Sequence, residues 1–227
     1  MAKLKFGMIV TEGSGKLGGH VLARNRSGAY ARTKVTPVNP ATTYQQNARN
    51  ELATRSQGWR GLTQNQRDAW NGAVNDFART DIFGDLRNPT GKNLYTLINI
   101  NLVNSGFPPV NVPPLPSAVP SITATSATIA VGTTQFDVAF TATGIISDAI
   151  HIWVTDGLSP GVGFAKNRYR FLRHVLGNAT SPVNIWAYYI ARFGTPTPGT
   201  KIFVKLRYVN SQGQAGVGSE TFGIVAA

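Results

Sequence analysis

Hydrophobic and polar residues alternate with a two-residue period near the start of the chain. Over residues 19–36, apolar or small residues alternate with polar or basic neighbours, which is typical of pleated strands. Residues 25–28 combine asparagine, serine and glycine, which favour tight turns. The pattern therefore predicts a β-hairpin. Alternation along it predicts that one face is shared by His20, Leu22, Arg24, Tyr30, Arg32 and Lys34.

Helical periodicity follows the hairpin and predicts three helices. The first begins at an Asn-Pro pair at residues 39–40, because asparagine caps free N–H groups and proline fits the first turn. A capping box of Thr63 and Gln66 begins the second, and another Asn-Pro pair at residues 88–89 precedes the third. A strand over residues 97–103 is the alternative to the third helix. The apolar stripes are Tyr44, Ala48 and Leu52, then Trp70, Val74 and Phe77, then Leu94, Ile98 and Leu102.

Six prolines lie between residues 107 and 120 and predict a stiff linker at residues 108–120. The residue pattern after this linker differs from the pattern before it. Seven short runs with strand-like composition follow, as in an antiparallel sandwich. They cover residues 121–131, 135–142, 149–155, 165–176, 184–191, 201–210 and 220–225. The predicted fold class is α+β. An N-terminal hairpin-and-helices anchoring domain occupies residues 1–107, and an immunoglobulin-like β-sandwich occupies residues 121–227.

Trp59 and Trp70 lie on the apolar sides of the first two predicted helices. The main interpretation is that both are core residues that lock the helices together. The alternative is an aromatic platform on which the bases of single-stranded nucleic acid would stack beside the basic hairpin.

Charge and composition narrow the classes of partner. The 227 residues carry a formal net charge of +12, which predicts an anionic partner such as nucleic acid, a lipid surface or an acidic protein. The chain has no cysteine, which excludes disulfides and thiolate metal ligands. No continuous run of about 18 apolar residues is present, so we expect no transmembrane helix.

Candidate chemistry is sparse, and we expect neither an enzyme nor a cofactor or metal site. Leu17 follows Gly15-Lys16 where a phosphate-binding loop requires serine or threonine. No histidine has a histidine or carboxylate partner two or four residues on, as metal or acid–base sites often do. These histidines are His20, His151 and His174. Three aspartates lack the spacing of a calcium loop: Asp76, Asp81 and Asp85.

Two basic segments are candidate sites for protein contact or phosphate binding. The hairpin supplies Gly18, Gly19, Arg24, Arg26, Tyr30, Arg32 and Lys34. A second ridge is predicted where Lys166, Arg168 and Arg170 would share one face of a strand. Such ridges bind phosphates or acidic protein surfaces, and a solvated strand face is the alternative.

The N-terminal half resembles a group of poorly characterised bacteriophage virion structural proteins. The similar runs are GKLGGHV (15–21), ARNRSGAYARTK (23–34), PVNPAT (37–42), QQNAR (45–49), WRGLT (59–63), QRDAW (66–70) and NPTGKNLY (88–95). Residues 201–216 resemble the last hairpin of fibronectin type III or immunoglobulin-like modules, in which Phe203 and Tyr208 would pack. Trp153 would be the central-strand tryptophan of such a module.

The resemblance implies a virion structural protein of minor capsid, vertex, spike-base or decoration type, made in the host cytoplasm. It would anchor through its basic N-terminal region to other capsid proteins, display the β-sandwich, and form a homo-oligomer. The alternative is a nucleic-acid-binding protein that packages or organises a genome. A receptor- or glycan-binding module is a third possibility, based on Trp186, Tyr188 and Tyr189.

Overall fold

The computed structural model describes residues 2–3, 13–25, 28–36, 39–80, 86–142, 144–165 and 167–227. The chain forms two compact units, Met1–Gln46 and Asn47–Ala227. Helices and mostly antiparallel sheets are mixed, with three α-helices between the first and the last sheet and a fourth between two strands of the last sheet, which confirms the α+β class. Four residues of the predicted sites and clusters lie outside the described residues: Arg26, Asp81, Asp85 and Lys166.

The N-terminal unit contains a four-stranded antiparallel sheet. Its strands are β1 (Ala2–Lys3), β2 (Gly15–Leu17), β3 (His20–Asn25) and β4 (Gly28–Thr33), in the order β1-β4-β3-β2. The predicted hairpin is β3 and β4. The glycine-rich stretch before it does not predict β2, because glycine weakens strand propensity. Gly18 has a φ of 55°, and this left-handed conformation makes the turn from β2 to β3.

Three helices are present where three are predicted, although the first begins at Thr43 and not at the predicted Asn-Pro pair. They are α1 (Thr43–Gly61), α2 (Gln64–Gly72) and α3 (Gly91–Asn104), with a short 3-10 helix (Ala73–Phe77) after α2 and two-residue strands β5 (Arg79–Thr80) and β6 (Leu86–Arg87) before α3. The alternative strand over residues 97–103 is wrong. No helix within the described ranges has both the length and the apolar character needed to cross a bilayer.

The predicted core role of the tryptophans fits their surroundings. Trp70 is fully buried and donates a hydrogen bond from Nε1 to the Asn111 carbonyl oxygen, 2.8 Å away. Its ring meets Tyr95 edge-on at 5.4 Å between centroids, and the half-buried Trp59 lies 5.7 Å from the same ring. Tyr95 therefore joins α1 and α2 to α3. The buried indole of Trp70 offers no face for a nucleic-acid base.

A curled seven-stranded sheet forms most of the second unit. Its order is β10-β9-β12-β13-β7-β8-β11, and every neighbouring pair is antiparallel except β13 and β7. Hydrophobic residues from both ends of this sheet share one core, which includes Phe136 and Val138 on β8 and Ile152 on β9. The strands are β7 (Ile122–Ala130), β8 (Gln135–Ala142), β9 (Ala149–Val154), β10 (Arg170–Leu176), β11 (Val183–Asn184), β12 (Lys201–Val209) and β13 (Ala215–Ala226).

The prediction of a strand over residues 184–191 is wrong. Only β11 is a strand there, and helix α4 (Trp186–Phe193) follows it. Ile185, Trp186 and Tyr189 all pack in the core, and a helix brings these positions to one side, whereas a strand would turn Trp186 to the face opposite Ile185 and Tyr189. The Tyr189 ring lies 5.2 Å from that of Phe136. Burial at helical spacing therefore overrides the strand-like composition.

The proline-rich stretch is packed against the rest of the second unit. Asn99 on α3 accepts a 2.6 Å hydrogen bond from the Val110 N–H and donates a 3.1 Å bond to the Val110 carbonyl. The Ser117 N–H donates to Gln214 Oε1, at the turn between β12 and β13, over 2.8 Å. The predicted boundary at residues 108–120 does not coincide with the division between the two compact units, which falls after Gln46.

Candidate interaction surface on the N-terminal sheet

Strand register decides which basic residues of the hairpin act together. Asn25 pairs with Gly28, so two residues form the loop, and every paired position in β3 and β4 combines an even with an odd number. Arg24 is paired with Ala29 and Arg32 with Val21. Directly paired residues point to the same face of a sheet. The predicted common face is therefore wrong. Arg24 lies on one face of the sheet, and Tyr30, Arg32 and Lys34 lie on the other face.

Among the residues whose side chains are described, one face of this sheet gathers three cations. Lys16 on β2 pairs with Val21, which pairs with Arg32 on β4. The Lys34 N–H donates a 2.8 Å hydrogen bond to the Gly19 carbonyl, which extends the β3–β4 register so that Lys34 shares the face of Arg32. We call Lys16, Val21, Arg32 and Lys34 the cation face. Lys16 was missed because β2 itself was not predicted.

The cation face lines a shallow cavity of about 360 Å³, completed by Val35 and Thr36. The side chains of Lys16, Arg32 and Lys34 are exposed. Among the described residues, no ion pair reaches their charged groups. Neighbouring strands lie about 4.8 Å apart, so Lys16 and Arg32, separated by β3, are on the order of 10 Å apart. The cavity thus combines converging positive charge with two apolar valines.

The described part of the N-terminal unit has no core of its own. None of its residues with an assigned exposure is buried, and Leu17 and Val35 are 68% and 77% exposed. Helix α1, which begins in this unit, also has no buried residue. A sheet needs a covered apolar face for independent stability. In the described part of this unit, no face of the sheet is covered to that extent.

Charge is concentrated in the same unit. Residues 1–46 contain seven lysines and arginines and a single acidic residue, Glu12. This fifth of the chain therefore carries half of the net charge of +12. Like charges repel over about 10 Å at moderate ionic strength. The imbalance therefore favours an anionic partner and disfavours contact between two copies of this unit.

The glycines at the turn and Tyr30 have different roles from one another. A Cβ added to Gly18 or Gly19 would meet nothing within 4 Å, so Gly18 is required by its positive φ and not by close packing within the described chain. Tyr30 pairs with Ala23 and is half-buried. The sheet therefore does not offer Tyr30 as an open stacking platform.

Arg168 and Arg170 of the second predicted ridge do not share a strand face, and Lys166 lies outside the described residues. Strand β10 begins at Arg170, so Arg168 precedes it and does not share a strand face with Arg170. Both side chains are exposed, and Arg170 Nη1 donates to the backbone carbonyls of Asn167 and Tyr169 at 3.3 and 3.0 Å. Local turn formation before β10 separates the two cations.

Two of the three histidines are adjacent, although the sequence places them far apart. His151 on β9 pairs across the strands with His174 on β10, and on its other side with Arg207 on β12. His151 is 1% exposed, and burial, reinforced by the positive charges of His174 and Arg207, lowers its pKa to about 3. His20 is exposed on β3. His151 is therefore a buried, neutral imidazole beside two basic side chains, which indicates a structural role.

The aromatic residues of helix α4 do not form a single exposed surface. Tyr189 is 1% exposed and packs in the core, and Trp186 is partly buried against it. The ring of Tyr188 is 47% exposed, but the Arg173 guanidinium stacks on it at 4.0 Å.

Trp153 also departs from its predicted place. It faces away from the core with His151 and Phe171, because only residues 150, 152 and 154 of β9 point inward.

Within the described residues, no three histidine, aspartate or glutamate side chains converge where they could hold a metal ion. Comparison of the chain with protein-family models, with curated proteins and with solved structures finds no match.

Proposed function

We propose that the protein is a structural component of a bacteriophage particle, of the minor capsid, vertex, spike-base or decoration type. The N-terminal sheet anchors it to other capsid proteins, and the second unit is displayed. The observation that carries the proposal is a cationic N-terminal unit: residues 1–46 carry half of the net charge of the chain, and none of the described residues with an assigned exposure is buried. The sequence resemblance to virion proteins covers this same region.

The second unit is suited to display because it has its own core. Sixteen buried residues form its main cluster. We propose that the curled sheet is an immunoglobulin- or fibronectin III-like sandwich, in which β7, β8 and β11 pack against β10, β9, β12 and β13. The parallel contact of β13 with β7 would join the two layers at one edge. The outward position of Trp153 departs from the immunoglobulin pattern.

The role we propose is structural and not catalytic, and needs no cofactor. The protein would be made in the host cytoplasm and become part of the virion as a homo-oligomer. Since the N-terminal units carry the same charge, copies would be related through the symmetry of the particle and not through their cation faces.

A second candidate function is binding of the viral genome. The cavity of the cation face favours it, because Lys16, Arg32 and Lys34 could neutralise phosphates as point charges. Binding of this kind weakens steeply with salt. Titration with random-sequence DNA at rising NaCl concentration tests it, and absence of binding at low salt removes this candidate.

Particle incorporation tests the proposed function. In one full-length variant, Lys16, Arg32 and Lys34 are changed to glutamate. We expect it to retain the thermal unfolding transition of the second unit yet to be absent from purified particles. The matched control reverses exposed cations outside the N-terminal unit, Lys92→Glu and Arg168→Glu, and should incorporate normally. Normal incorporation of the first variant would contradict the proposal.

A further inference from the structure

The three cations of the cation face converge on one cavity instead of forming a line. Lys16, Arg32 and Lys34 come from β2, from β4 and from the residues after it, and all border the same space of about 360 Å³. A cavity of this size holds a few side chains. A groove that tracks a nucleic-acid backbone would instead extend over several nucleotides.

Two of the six residues that line the cavity are valines. Val21 lies between Lys16 and Arg32 on the sheet, and Val35 borders the cavity with 77% of its surface exposed. Phosphate groups gain nothing from exposed valines. A protein segment that combines carboxylates with an apolar side chain would cover the valines and pair with the cations at the same time.

Aromatic stacking, the other main source of affinity for single strands, is lacking beside this cavity. No aromatic residue lines it. Trp70 belongs to the other unit and is fully buried. The described residues therefore offer charge without a stacking platform, which favours protein over single-stranded nucleic acid as the occupant.

A second copy of the chain is a poor occupant. Each N-terminal unit carries seven basic residues and one acidic residue, and the remainder of the chain is also basic overall. Contact between two cation faces would place like charges together, which opposes association. The complementary partner is a different, acidic chain.

We propose that the cation face binds an acidic segment of a different capsid protein, with carboxylates on Lys16, Arg32 and Lys34 and an apolar side chain against Val21 and Val35. This inference rests on the proposed function and deepens it. The opposite face, which carries Arg24, does not take part in this recognition. Arg24 and Arg32 therefore provide a matched pair of single charge reversals on the two sides of one sheet.

The test uses the full-length protein with three preparations: particles of the parent virus assembled without it, the same particles emptied of DNA, and the purified genome. Sedimentation of labelled protein with each preparation gives apparent affinities for wild type, Arg32→Glu and Arg24→Glu. Thermal unfolding confirms that each variant folds. We expect wild type to bind emptied shells, Arg32→Glu to lose at least about tenfold in affinity, and Arg24→Glu to change by less than about threefold.

The remaining outcomes overturn the inference in distinguishable ways. Equal loss in both variants would show dependence on net charge alone, and undiminished binding by Arg32→Glu would remove the cation face from the contact. Binding to DNA-filled particles and to purified genome, but not to emptied shells, would make the genome the partner. If wild type bound none of these, the proposed function itself would fail.

Discussion

His151 Nε2 lies 2.7 Å from Ser105 Oγ, and this buried contact joins the C-terminal end of α3 to strand β9. Ser105 Oγ also lies 2.8 Å from the Asn101 carbonyl and donates to it, so it accepts from Nε2. The imidazole is then neutral with its proton on Nε2. Nδ1 is left as a buried acceptor without a partner among the described residues. A buried hydrogen bond between His151 and Ser105 thus connects α3 to the sheet.

The buried His151 predicts that the stability of the protein decreases at acidic pH. The pKa of His151 falls from 6.5 to about 3 on folding, because burial and the neighbouring His174 and Arg207 disfavour its charged form. Between these values the unfolded chain binds more protons, so stability rises with pH and is lost as pH falls below 6.5. At pH 5 the loss from this group is about 2 kcal/mol relative to pH 7.5.

Urea unfolding at both pH values, for wild type and His151→Phe, measures this loss. The phenylalanine keeps a ring beside Trp153 and Phe171, which lie 5.3 and 5.2 Å from the imidazole between centroids. The variant should be less stable at pH 7.5 but show a smaller fall at pH 5. An identical fall in both proteins would mean that His151 is not the titrating group.

Asn99→Ala should destabilise the second unit by about 2 to 4 kcal/mol. The fully buried amide makes hydrogen bonds to both backbone groups of Val110 and to the Tyr95 carbonyl, and its removal leaves these groups unpaired. Asn93→Ala, on the exposed side of the same helix, is the control and should cost less than about 0.5 kcal/mol. Chemical denaturation measures both. Equal stability of the two variants would show that the proline-rich stretch is not fastened through Asn99.

Gly18→Ala should loosen the N-terminal sheet, whereas Gly19→Ala should be tolerated. At Gly18 the φ of 55° strains any residue with a Cβ, at a cost of about 1 kcal/mol, and both positions have open space around them. Limited proteolysis within residues 13–36 is the measurement. Faster cleavage of Gly19→Ala than of Gly18→Ala would show that Gly18 is not the turn residue that a Cβ strains.

Elements with a single, strong period were predictable from sequence. Strand β8 spans the residues that alternation indicates, and α2 begins at the capping box of Thr63, whose hydroxyl accepts from the Gln66 N–H. Helix α4 was not predictable by composition, because aromatic and β-branched residues favour strands. The helix is selected by packing of Ile185, Trp186 and Tyr189 together in the core, which a strand would not allow because it would turn Trp186 to the other face.

The candidate site was predictable in composition but not in arrangement. The basic character of the hairpin is visible in the sequence, yet the face of each cation depends on loop length, since a change of one residue in register inverts every side chain. The two-residue loop places Arg24 and Arg32 on opposite faces. The pairing of His151 with His174 likewise depends on which strands become neighbours, which local patterns do not specify.

The central claim is that a neighbouring molecule buries the N-terminal sheet in the assembled particle. Amide hydrogen exchange of residues 13–36, measured on the free protein and on intact particles, tests it most directly. We expect exchange to slow at least about tenfold within this segment on assembly, while β8 and β12, already in the core of the second unit, change little. Equally fast exchange of residues 13–36 in both states would contradict the account.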